Sequence, residues 1–133
     1  MLGKFILWLS TLAFVSYGIA CLLSPELPAG YAGLAIASGD GYAEMGAMYG
    51  GLQTGFGIFC ALGALRADLY RPALLLLVVV IGSLALGRLY STLMGVGPVG
   101  FYTWGAMVYE FFTAGLALIA LRASAPDAGL RSV

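Results

Sequence analysis

Arg88 and Glu110 lie inside the third and fourth of four long apolar runs. An ionisable side chain surrounded by hydrocarbon is expensive, so each marks a functional site by default and each requires a partner. Their opposite charges nominate them for one another. A guanidinium can hold a polar head group, and a partly desolvated carboxyl can act as general acid or base. Glu44 and Glu110 are therefore the candidate catalytic residues. Tyr49, Gln53, Arg88, Tyr109 and Glu110 are the candidate ligand contacts.

Other chemistries are poorly supplied. The chain has no histidine, and its two cysteines, Cys21 and Cys60, sit in different apolar runs without metal-ligand spacing. No metal or other cofactor is expected, and small apolar packing is the ordinary role of such cysteines. The run Gly95-Val-Gly97-Pro-Val-Gly100 matches a dinucleotide-binding pattern literally. That pattern works only between a strand and a helix, whereas here it joins two apolar runs, so it reads as a tight turn.

Composition identifies the elements that must carry these residues. Hydrophobic residues make up 62% of the chain and charged residues 9%, against roughly 25% charged in soluble domains. About 20 apolar residues span a bilayer. Four stretches meet that length: Phe5 to Leu23, Glu44 to Leu65, Pro72 to Met94 and Phe101 to Leu121. The fold expected is all-α, a four-transmembrane-helix bundle occupying residues 1–122, with 123–133 as a polar, frayed tail. Zero net charge without a basic cluster argues against nucleic acid.

Lys4 ahead of an apolar run ending Gly18-Ile19-Ala20-Cys21 has the look of a signal peptide. Gly18 suits lipoprotein cleavage poorly, and the segment reads as a retained first helix. Lys4, Arg66, Arg71, Arg122 and Arg131 alternate with connections that hold no Lys or Arg. By the positive-inside rule both termini are expected in the cytoplasm, with the protein in a bacterial-type inner membrane. The connection from Ser24 to Tyr42 then faces outward. Its apolar piece, Tyr31 to Ser38, is expected to cap the outer end of the bundle.

The second run carries Gly46-x-x-x-Gly50 and Gly51-x-x-x-Gly55, a spacing that lets membrane helices approach closely. These glycines are expected to seat a neighbouring helix, in this chain or in a homo-oligomer or larger membrane complex. Insertion energies fix how firmly the charges must be compensated. Ten Leu, Val or Ile residues between Leu74 and Leu86 contribute about −3 to −6 kcal/mol, against roughly +3 for a central arginine. The fourth run has eight strongly apolar residues and is marginal unless Glu110 is paired or protonated.

At 1.5 Å per residue, Arg88 lies roughly 9 Å and Glu110 roughly 13 Å below the outer ends of their runs, so the two can meet. Thr103, Ala106, Glu110 and Thr113 share one helical face, as do Arg88, Ser91 and Thr92. With Tyr49 and Gln53 from the second run, and Tyr90, Tyr102 and Tyr109 nearby, they outline a pocket in the outer half of the bundle.

The residues Glu44-Met-Gly-Ala-Met-Tyr49-Gly50-Gly51-Leu-Gln53-Thr-Gly55, then Gly87-Arg88-Leu89, then Glu110, resemble the bacterial four-helix membrane family catalogued as domain of unknown function 4345. The resemblance extends from about Gly18 to Arg122. It implies four helices and singles out Glu44, Tyr49, Arg88 and Glu110, and it brings no reaction with it. Family members often have an arginine where Gly46 stands here. Its replacement leaves Glu44 without a local counter-cation, so that Arg88 serves both glutamates or one of them is protonated.

Three functional classes follow. The first is a non-catalytic accessory or interaction subunit whose bundle is fixed by a buried Arg-Glu centre. The alternative is a lipophile-binding pocket, or a membrane-embedded isomerase, cyclase or hydratase acting on an isoprenoid-like or lipid substrate. Proton-coupled export ranks last, because an exporting glutamate works best without a fixed arginine beside it, and no inverted repeat relates the halves.

Overall fold

A computed structural model describes residues 1–95 and 97–124. Its described residues form five helices and no strand: α1 Leu2–Leu23, α2 Glu26–Ala32, α3 Gly39–Leu65, α4 Ala67–Met94 and α5 Phe101–Ala123. All but α2 are long and apolar enough to cross a membrane, which makes this a multi-pass membrane protein. Large apolar side chains such as Leu12, Ile58, Val79 and Phe112 point outward, as a lipid-facing surface requires. The tail expected from residue 123 falls, beyond Ser124, outside the described residues.

Three helices begin earlier than the apolar runs suggest, α1 at Leu2 rather than Phe5. α3 starts at Gly39 rather than Glu44, because the Ser38 side chain accepts a hydrogen bond from the Gly41 N–H at 3.2 Å and caps the first turn. α4 starts at Ala67 rather than Pro72. Arg66, extended at φ −112° and ψ 126°, separates it from α3. Asp68 in the first turn of α4 suits the helix dipole and pairs with Arg66 at 2.8 Å. Pro72 sits inside the helix near its start, removing one backbone donor without ending it.

The outer cap is also placed differently. Its helical piece is Glu26–Ala32, closed by Gly33 in the left-handed region at φ +69°, and not Tyr31 to Ser38. The expected capping contact is made: the Tyr31 and Tyr102 rings stack with centroids 5.9 Å apart. Gly97, at φ +95°, turns the chain between α4 and α5, so the dinucleotide-like run is a connection.

The spanning helices form a ring in which α1 packs on α3 and α5, and α4 packs on α5. α3 and α4 join at the end that carries the Arg66 connection, where residues Leu52–Leu65 pack against Ala67–Leu76. Beyond that point the two separate. The half of α3 remote from Arg66 leans on α1, and the corresponding half of α4 leans on α5. At the cation-bearing end Arg71 donates to the Leu121 carbonyl at 3.2 Å and the Ser124 hydroxyl at 3.1 Å, closing the last turn of α5.

The α1–α3 contact depends on glycine. A Cβ on Gly57 would lie 2.9 Å from the Val15 backbone nitrogen, and one on Gly18 would lie 2.6 Å from that of Thr54. A Cβ on Gly51 or Gly55 would instead meet no other element within 4 Å among the described residues. The Gly51-x-x-x-Gly55 pair is thus not the internal packing seam, which runs through Gly50, Gly57 and Gly63. Gly57→Val and Gly18→Val are predicted to lower stability by about 1–3 kcal/mol through overpacking. Gly51→Val and Gly55→Val should leave the monomer's melting temperature in detergent unchanged. Equal losses at all four positions would contradict this assignment of the seam.

Candidate functional site

Helical periodicity aims the two charges inward. On α5 the buried face is Met107, Glu110, Thr113, Ala117 and Ala120, so Glu110 occupies a position that packing alone would give to an apolar residue. On α4 the inner positions Leu74, Leu77, Ile81 and Ala85 lead to Arg88. One turn of that path, Leu77–Ile81, is π-helical. A π turn inserts an extra residue, and at 3.6 residues per turn this shifts everything beyond it by roughly 100°. The direction of Arg88 is therefore set partly by this turn.

The pair is bidentate. Arg88 Nε donates to both Glu110 oxygens, at 3.1 and 3.0 Å, and Nη2 donates to Oε1 at 2.6 Å. The Glu110 side chain is 6% exposed and that of Arg88 25%, so the carboxylate is enclosed while the guanidinium keeps an open side. Among the described residues Nη1 donates to nothing.

That open side faces a cavity of about 830 Å³. Its walls are mostly apolar and come from all four spanning helices: Phe14 and Tyr17 of α1, Tyr49, Gln53 and Phe56 of α3, Ile81, Ser83 and Arg88 of α4, and Tyr102, Tyr109 and Glu110 of α5. A second, more polar recess of about 490 Å³ is lined by Ser91, Thr92 and Thr103. Tyr49, Ser83, Leu84 and Arg88 line both spaces. The guanidinium thus stands at the junction of an apolar chamber and a polar vestibule.

Phe14 closes the chamber toward the core. Its ring meets Phe56 edge-on at 6.4 Å and Tyr109 at 6.3 Å, tying α1, α3 and α5 together. Around it are hydroxyls enclosed by protein that complete no hydrogen bond among the described residues, including those of Tyr17 and Tyr109, residues that also contribute to the cavity wall.

All five candidate ligand contacts line this one cavity: Tyr49, Gln53, Arg88, Tyr109 and Glu110. Of the two candidate catalytic residues, only Glu110 does. Glu44 is exposed, lines neither space and makes no ion pair among the described residues, so Arg88 does not serve two glutamates. Tyr90, 65% exposed, points away from the site. Phe14, Tyr17 and Ser83 are among the lining residues that were not singled out in the sequence. Tyr17 was within reach of a periodicity argument, since Ser10, Phe14 and Tyr17 follow the inner face of α1. Cys21 and Cys60 are separate buried thiols.

The family model described as "Domain of unknown function (DUF4345)" matches residues 2–121, and the chain belongs to that family. Neither a curated protein nor a solved structure matches it.

Removing either member of a desolvated pair strands the other. Arg88→Ala and Glu110→Ala are each predicted to cost on the order of 2–4 kcal/mol and to reduce folded yield. The swapped double variant, Arg88→Glu with Glu110→Arg, should recover part of that loss. Unchanged yield and melting temperature in both single variants would show that the pair does not hold the bundle.

Proposed function

We propose that this protein binds an amphiphilic lipophile within its bundle, with Arg88 at the head group and the aromatic chamber around the apolar tail. The observation that carries this reading is the cavity itself. A charge pair whose only task is to fix helix register is best enclosed by packed side chains, yet here the guanidinium opens onto about 830 Å³ of mainly apolar space. Small-molecule pockets occupy about 300–1,000 Å³ and combine apolar walls with a few placed polar groups.

The reading is binding rather than catalysis. Both Glu110 oxygens are engaged by Arg88, and Glu44 lies outside the cavity, so neither candidate acid-base group stands free against a substrate. The cations Lys4, Arg66, Arg71 and Arg122 support a cytoplasmic location for both termini in a bacterial-type inner membrane. On that orientation the chamber lies in the outward half of the bilayer. The lipophile enters from the membrane between the separated outer halves of α3 and α4, and the two π-helical turns, Gly46–Gly51 and Leu77–Ile81, flank that entrance. Such turns are frequent at functional sites.

The test is purification in mild detergent followed by mass spectrometry of what is retained. A single abundant lipophile near one per protein is the expected result. Ala106 lines the cavity, and Ala106→Phe, which fills part of it, should remove that lipophile while leaving the melting temperature within a few degrees of wild type. A stoichiometric protein partner with no enriched lipophile would replace this reading with that of an accessory subunit.

A further inference from the structure

Resting on the pocket reading above, we infer that the ligand's polar end is a neutral hydrogen-bond acceptor, a carbonyl group on a long apolar chain, and not a carboxylate, phosphate or amine. The argument is one of charge and donor inventory. Arg88 and Glu110 are the only charged residues lining the chamber or the vestibule among the described residues, and they neutralise one another. The ligand therefore meets a site of zero formal charge.

What that site still offers is donors. A guanidinium has five N–H groups in a fixed fork. The Nε hydrogen and one on Nη2 go to Glu110, leaving both Nη1 hydrogens and the second on Nη2. Tyr17 and Tyr109 line the chamber, but their hydroxyls are themselves buried, so the donors turned to it are those of Arg88. The one anionic acceptor, the Glu110 carboxylate, is enclosed and engaged on both oxygens, and Gln53 adds a neutral amide that both donates and accepts. A carbonyl oxygen takes hydrogen bonds without bringing a charge into the bilayer.

A charged head group fits badly. An anion would share one guanidinium with Glu110, so that one of two negative charges remained uncompensated where water is scarce. An ammonium would find no free carboxylate. Ketones, aldehydes, quinones and esters of long chains are the class that matches.

The test uses the full-length protein in nanodiscs and three radiolabelled probes: palmitic acid, the methyl ketone of the same chain length, and hexadecane. Empty nanodiscs correct for partitioning into lipid. At a pH where palmitic acid is fully ionised, saturable retention of the ketone should exceed that of either other probe by about tenfold. Palmitate bound as tightly as the ketone, or hexadecane bound equally well, overturns the neutral-carbonyl assignment while the lipophile pocket stands. No saturable retention of any probe overturns the pocket, and the assignment with it. Glu110→Gln uncovers the cation and should reverse the preference toward palmitate. A folded variant that still prefers the ketone counts against the charge argument, and the wild-type comparison decides the matter if the variant does not fold.

Discussion

A guanidinium set among lipid-facing helices must be compensated inside the protein, and the rest of this structure is arranged around that requirement. Arg88 finds its counter-charge on the adjacent helix, in a bidentate pair whose carboxylate is almost wholly enclosed. Such a pair contributes little net stability over a well-packed apolar substitute, because desolvation offsets most of the attraction. It contributes direction instead. Only one rotation of α4 and one of α5 bring the two groups together.

The pair also explains why the bundle is open where it is. α1 and α3 approach closely along Gly18, Gly50 and Gly57, and α4 is held to α5 by the Arg88 contact and by the residues below it. Those attachments draw α3 and α4 apart beyond the end where they are joined. The separation is filled by no backbone, and aromatic side chains from three helices line it without closing it. The cavity thus lies where α3 and α4, joined at one end, diverge within the ring that α1 and α5 close.

Polar groups around the chamber divide by depth. Toward the core, and outside the cavity lining, Ser10 and Thr113 have enclosed hydroxyls without completed hydrogen bonds among the described residues. Toward the opposite end, Ser91, Thr92 and Thr103 surround the vestibule. Arg88 stands between them, where a molecule with one polar end and one apolar body would place its boundary.

The amino-acid sequence by itself determined the number of spanning helices, the inward-facing positions of Glu110 and Arg88, and their pairing. Hydrophobic length is set by bilayer thickness, and a buried charge admits few solutions, so both are local or nearly local facts. That Tyr49, Gln53, Arg88, Tyr109 and Glu110 line one cavity was legible for the same reason: polar residues in apolar runs have only the bundle interior to face. Helix starts were less so, since the Ser38 cap at α3 and the extended Arg66 before α4 act through backbone geometry and not through hydropathy. The standing of Glu44 was decided by tertiary structure, because a residue near a helix end can face the interior or the outside at similar cost. Tertiary structure alone also separated the glycines that pack, such as Gly57, from those that face outward, such as Gly51 and Gly55. The π turn before Arg88 and the divergence of α3 from α4 belong to the same class, because each depends on how helices pack against one another, and packing joins residues that no spacing rule along one helix relates.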